Sequence, residues 1–314
     1  FIFSPATYYL ISSTQTNKRT DYPGKKISQI VQAQWDNNFS NKIPIQTLIS
    51  PMREVSNIIN EKFDIGQIKV EGITKCFDSD AGNILALDGI NLEVNPQEFI
   101  TLVGRSGCGK STLLRCIGGL ISPSTGEINI SGHIVIEPHP QIGYVFQDAV
   151  LLPWRTVEEN VLLPFEVKGN PTDKEKHKVK EVLEVVGLSD YANHRPGELS
   201  GGMQQRVSVS RALVTEPSIL LMDEPFGALD AQTREDMNVE LLRIWEVSKT
   251  TIVFVTHDIG EALFLSDRVV IMSARPGKID DIIEVNSPRP RTFDQIENDP
   301  AFWKMRQRIR EALH

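Results

Sequence analysis

The feature that most restricts this chain is the run Gly104-Arg105-Ser106-Gly107-Cys108-Gly109-Lys110-Ser111-Thr112. It stands directly after the apolar segment 99–103 and before a helical pattern over 111–117. Glycines at these spacings let the backbone turn tightly and aim its N–H groups at one point. A strand feeding such a turn, and then a helix N-terminus, makes a cradle for phosphate oxygens. In that cradle Lys110 is expected to reach the β- and γ-phosphates of a nucleotide, Ser111 to ligate Mg²⁺ and Thr112 to bond the α-phosphate, with Arg105, Ser106, Gly107, Cys108 and Gly109 lining the loop. Cys108 is open to two readings: a thiol activated by the helix N-terminus, or a small residue that fits the loop.

Short β-rich runs surround this loop at 68–70, 90–94, 99–103, 128–130, 134–136 and 142–145, and largely apolar ones follow at 219–222 and 251–255. Runs of the second kind read as buried strands of a parallel sheet. Between them lie helical patterns. Val179, Val182, Leu183 and Val186 fall on one helix face, opened by the capping pair Thr172 and Glu175 and stopped by Gly187. Thr156 and Glu159 make a second capping pair. Strands alternating with helices predict an α/β core, and the helical stretch at about 148–215 predicts a helical subdomain inserted between strands of that core.

Two acids, Asp223 and Glu224, follow the apolar run 219–222. A carboxylate at the C-terminal end of a buried parallel strand faces the ligand crevice. Asp223 is therefore expected to hold Mg²⁺ through water, and Glu224 to orient or deprotonate an attacking water. His257 follows the strand at 251–255; residue chemistry alone allows either a structural histidine or a contact to the γ-phosphate. Gln147, after the strand at 142–145, reads equally as a Mg²⁺ or water ligand and as an ordinary surface amide.

Composition narrows the class. The chain of 314 residues has 41 acids against 33 bases, a net charge of -8, which argues against a basic nucleic-acid-coating protein. No run of about 18 apolar residues is present to span a membrane. Three cysteines, Cys76, Cys108 and Cys116, are too few for a disulfide scaffold and fit a reducing compartment. Residues 1–65 are polar, slightly basic and rich in Ser, Thr, Asn and Gln; they are expected to be a poorly ordered extension, an arbitrary polar leader more than a transit peptide. A first residue of Phe1 rather than Met is expected of a fragment or a processed product.

The segment Leu199-Ser200-Gly201-Gly202-Met203-Gln204-Gln205-Arg206 makes the reading specific. It resembles the signature sequence of ABC-type ATPases. The phosphate loop 95 residues before it, Asp223 and Glu224 after it, His257 34 residues beyond Asp223, and Gln147 between loop and signature keep that family's order. Residues 226–230 resemble its D-loop. The resemblance covers about 66–285 and implies a P-loop NTPase (RecA-like) core carrying an antiparallel β subdomain and the inserted α-helical subdomain. It implies ATP and Mg²⁺ as cofactors, Phe77 stacked on adenine, and Ser200, Gly201 and Gly202 binding the γ-phosphate held by the loop of a second copy. Residues 147–155, 195–199 and 287–291, with an amphipathic terminal helix in the tail 286–314, further resemble importer ATPases of the nitrate, sulfonate and taurine type. That implies a peripheral subunit on the cytoplasmic face of the plasma membrane, beneath a permease, with a solute-binding protein as an indirect partner and no nucleic acid; Val150, Leu151, Leu152 and Trp154 would either touch the permease or pack the core of the helical subdomain. A soluble ABC ATPase acting on ribosomes or DNA, or an exporter ATPase, is the alternative. Gln97 departs from the glycine common in the family, which puts the backbone of that turn in question.

Overall fold

Strand β3 (Phe99–Gly104) is buried along its whole length, as a strand covered on both faces must be. It sits inside a six-stranded sheet of order β10-β9-β3-β8-β7-β6, made with β6 (Ile142–Val145), β7 (Ile219–Asp223), β8 (Thr251–Val255), β9 (Arg268–Met272) and β10 (Ile279–Glu284). All neighbours are parallel except β9 and β10. Side chains alternate between two cores, as the period of a strand requires. Phe99, Val103, Leu220, Met222, Ile252 and Phe254 face one; Ile100, Leu102, Ile219, Leu221, Val253 and Val255 face the other. The computed structural model describes residues 65–78 and 82–313, so the extension expected over 1–65 lies outside the described residues but for Ile65. The described residues belong to one compact unit, Phe63–His314.

A second sheet, of order β2-β1-β4-β5, is antiparallel and contributes Ile68, Val70, Ile73, Ile90 and Ile128 to the second core. Its strands are β1 (Ile68–Phe77), β2 (Ile84–Val94), β4 (Thr125–Ile130) and β5 (His133–Ile134). Strand β1 runs well beyond the three residues expected from its apolar run. The register with β2 slips after Val70 and again after Ile73, and each slip breaks the alternation that announces a strand. Helix α1 (Lys110–Ile117) follows β3 and buries Leu113, Leu114 and Ile117 in the same core.

Between β6 and β7 lie α2 (Val157–Lys168), α3 (Asp173–Val185) and α4 (Gly201–Leu213), packed around a third core that includes Val161, Leu183 and Val207. Both expected capping boxes are formed, Thr156 with Glu159 and Thr172 with Glu175. Helices α5 (Ala231–Ser248), α6 (Ile259–Leu265), α7 (Phe293–Asn298) and α8 (Pro300–Leu313) cover the other face of the large sheet. The terminal helix packs onto the domain: Phe302 and Ile309 are buried in the first core, with Met305 and Leu313 against it. Arg291 ties this end down, donating from a buried guanidinium to the carbonyls of Leu263, Phe264, Ser266, Val285 and Ser287.

Gln97 sits at φ 63, in the left-handed region that favours glycine. Its N–H donates to Thr251 Oγ1 at 2.8 Å, which fixes the turn into β3.

Candidate functional site

The carboxyl ends of β3, β8 and β7 come level with one another: Leu102 and Asp223 both pair with Val255. Whatever leaves these strands is delivered to one crevice. From β3 leaves the phosphate loop. Gly107 (φ 74) and Gly109 (φ 96) adopt the left-handed region. A Cβ on Gly109 would meet Leu87 Cδ2 at 2.7 Å and Ala86 O at 2.9 Å, and one on Gly104 would meet Cys108 Sγ at 2.5 Å. The loop is thus held by packing as well as by torsion. Helix α1 starts from Gly109 without any side-chain cap, so its first N–H groups stay available to an anion.

Lys110 is buried, and its ammonium donates to the carbonyls of Gly104 (2.8 Å) and Arg105 (3.2 Å). Ser111 Oγ donates to Asp223 Oδ1 at 2.7 Å. Burial raises the pKa of Asp223, while the bond from Ser111 and the charge of Arg115 oppose that rise. A hydroxyl and a carboxylate so placed are the hard oxygen donors that suit Mg²⁺. Cys108 lies 1% exposed. Burial pushes its thiol up despite Lys110 nearby, the opposite of activation, so Cys108 fills space beneath the loop.

Glu224 follows β7 with φ 45, an unfavourable value for a non-glycine residue that persists only where the surroundings impose it. Its N–H donates to Val255 O at 3.0 Å. Its Oε2 lies 3.1 Å from His257 Nδ1; the histidine is largely exposed and the carboxylate mostly covered. The structure therefore gathers Lys110, Ser111, Asp223, Glu224 and His257 through two short contacts and one shared strand end.

Other expected site residues stand apart from that group. Gln147 is exposed two residues beyond β6. Phe77 closes β1 opposite Ile84, 40% exposed, with Lys75 Nζ 5.1 Å from its ring centre. Ser200 caps α4 through its hydroxyl, accepting from Met203 N–H at 3.3 Å. Gly201 has open space where a Cβ would stand, whereas a Cβ on Gly202 would meet Thr233 Cγ2 at 2.8 Å. This second helix start belongs to the third core, not to the core of the phosphate loop. Val150 and Trp154 are exposed (59% and 68%), whereas Leu151 packs on the third core.

Sequence reasoning missed the residues that hold these loops. Asn160, fully buried, bonds the backbone of Leu152, Arg155 and Thr156. Arg211 donates to the carbonyls of Ala149 and Val150. Together they pin the loop that follows Gln147. Arg211 reaches carbonyls 61 and 62 residues away, and the bonds of Asn160 close an irregular loop, so neither follows a periodic pattern.

A family model described as ABC transporter matches residues 87–227. The aliphatic sulfonates import ATP-binding protein of Bacillus cereus is 45% identical over 242 residues, 77% of this chain and 94% of that protein. The bicarbonate transport ATP-binding protein of Synechocystis is 43% identical over 250 residues, covering 79% and 89%. Among solved structures, a dimeric ATP-binding cassette in a post-hydrolysis state bound to ADP and Pi is 35% identical, with a TM-score of 0.63 over 70% of this chain and all of that one. The chain accordingly belongs to the ABC transporter family, as one of its ATP-binding, ATP-hydrolysing subunits.

Proposed function

We propose that this ATPase powers a membrane importer of a small anion such as nitrate, a sulfonate or taurine, by closing and reopening a dimer around ATP. The observation that carries the chemical half is the convergence of Lys110, Ser111–Asp223 and Glu224–His257 at aligned strand ends. Lys110 exchanges its loop carbonyls for phosphate oxygens and keeps its charge beside the transferred group. Ser111 and Asp223, with Gln147 completing the set, would hold Mg²⁺, which would supply charge neutralisation for the phosphates. Glu224 accepts a proton from the attacking water. His257, held by Glu224, donates toward the γ-phosphate oxygens. Phe77 carries the adenine on its exposed ring.

The dimer half rests on Ser200, Gly201 and Gly202. They open a helix whose N-terminus is exposed and whose first turn packs, through Leu199 and Met203, on the third core rather than the core of helix α1. A second copy's nucleotide is the anion for which this start is suited. Hydrolysis then removes the shared charge and separates the copies. Among the described residues no helix is long and apolar enough to cross a membrane, so transport requires a separate permease. Val150 and Trp154, exposed beside the Gln147 loop, offer it an apolar contact. The small-anion assignment follows the relatives named above, and a solute-binding protein completes the set of partners. The subunit is peripheral, on the cytoplasmic face of the membrane. The test is purification of the tagged chain from detergent-solubilised membranes with mass spectrometry. A co-purifying permease with several membrane spans is expected; ribosomal or DNA-bound partners without one would overturn the transport reading.

A further inference from the structure

Among the described residues the side chain of His257 bonds Glu224, and both of its chain neighbours are fastened. Thr256, buried, donates its hydroxyl to Glu261 Oε2 at 2.5 Å and accepts the N–H of Asp258 at 3.0 Å. Asp258 Oδ1 accepts the N–H of Glu261 at 3.0 Å. Glu261, 5% exposed, accepts in turn from Asn238 Nδ2 at 3.2 Å. Asn238 lies on α5, is fully buried, and leaves its Oδ1 without a partner among the described residues. A buried amide kept half-satisfied is costly, so the bond to Glu261 is what the residue secures.

One turn earlier on α5 stands Arg234. Its Nη2 donates to Leu229 O at 2.8 Å and its Nε to Phe226 O at 3.4 Å, both in the loop that leaves Glu224. Its Nη1 lies 3.9 Å from Asp258 Oδ2, beside His257. One rigid helix thus grips the loop of the base and the loop of the histidine, through two residues four positions apart on one face. We infer that Arg234 and Asn238 are positioning residues, which set the Glu224–His257 contact by clamping the two loops to α5. Asp258 and Glu261 are the points at which the histidine loop is gripped. The inference rests on the reading of Glu224 and His257 as the hydrolytic pair.

The test is ATP turnover and ATP binding by the full chain. The variants are Arg234→Met, Arg234→Lys and Asn238→Ala, with Glu224→Gln and His257→Ala as references. A clamp predicts that Arg234→Met lowers kcat about 10- to 100-fold, as small misplacements of catalytic groups do, while the ATP dissociation constant stays within about twofold. Arg234→Lys keeps the charge without the fork and recovers part of the loss. Asn238→Ala, which favours the helix, gives the same split between kcat and binding. The deciding readout is the double variant. In the His257→Ala background, Arg234→Met removes less than about twofold of the residual turnover, because residues acting as a unit are not additive. Equal losses in both backgrounds, or affinity falling in step with kcat, would overturn the clamp in favour of general stability. If Glu224→Gln and His257→Ala both turn over like wild type, the hydrolytic pair itself is wrong. If they lose turnover while Arg234→Met and Asn238→Ala do not, only the clamp is.

Discussion

Glu224 shows how much one residue's position depends on its backbone. At φ 45 it turns from the strand end into reach of His257 rather than continuing the line of β7. Replacing Glu224 with Gln keeps shape and hydrogen bonding but removes the proton acceptor. Turnover is expected to fall about 10²–10⁴-fold, the usual worth of a general base, with ATP binding preserved; rapid-quench phosphate release alongside equilibrium nucleotide binding measures both. The cysteines give a second test at this scale. Cys108 and Cys116 are each 1% exposed, and burial pushes the Cys116 thiol to about 11. Both stay almost wholly protonated near neutral pH, where a thiol is a poor nucleophile. A maleimide probe read by peptide mass spectrometry should therefore label Cys76 in the folded protein and reach the other two only on unfolding. Labelling of Cys108 first would restore the reading of an activated loop thiol. At this scale the sequence was informative wherever chemistry and spacing coincide, as in Lys110, Ser111 and Asp223. It was silent on Arg234 and Asn160, whose partners are backbone groups of irregular loops and, for Arg234, the carboxylate of Asp258.

Elements were legible in proportion to the regularity of their patterns. Strands β3, β7 and β8 are buried at every position and mostly apolar because both faces are covered, and α2 and α3 carry their caps in sequence. Strand β10 escaped notice because it is an edge strand with polar residues at Asp280 and Asp281 and few buried positions. Strand β9 is an apolar run that no neighbouring motif marked. The turn before β3 makes a stability test. Gln97 at φ 63 bears a left-handed penalty of about 1–2 kcal/mol, against which glycine adds unfolded-chain entropy worth about 0.4–1 kcal/mol. Relief is the larger effect, so Gln97→Gly is expected to stabilise by under about 1 kcal/mol and raise Tm by roughly 2 °C, read by scanning calorimetry. The terminal helix tests the opposite direction. Phe302, 1% exposed in the first core, should cost about 3–5 kcal/mol when cut to alanine. A loss below about 1 kcal/mol in chemical denaturation would show that α8 is dispensable to that core.

At the scale of the whole molecule, the chain carries two glycine-rich helix starts packed on different cores: α1 after the phosphate loop on the second, and the first turn of α4, with Ser200, Gly201 and Gly202, on the third. The order of the motifs and the helical insertion holding 201–213 were readable from the sequence; that α4 divides between two cores, Val207 in the third and Val209 and Ala212 in the first, emerges only from the fold. On the proposed function a single chain presents half of each of two sites, with ATP joining it to a second copy. Ser200→Glu tests this with little risk to folding. Ser200 is exposed at the N-cap, where a carboxylate suits the helix dipole, so α4 should persist. Facing a γ-phosphate across the interface, the same carboxylate repels it at close range. Glu224→Gln, by slowing hydrolysis, is expected to accumulate an ATP-dependent dimer, and adding Ser200→Glu is expected to abolish it, as read by light scattering with Mg²⁺ and ATP. Nucleotide binding to the monomer should be unchanged, because Lys110 and the loop are untouched. A dimer of undiminished stability would remove Ser200 from the shared site, and a monomer that no longer binds ATP would place Ser200 beside its own chain's nucleotide instead.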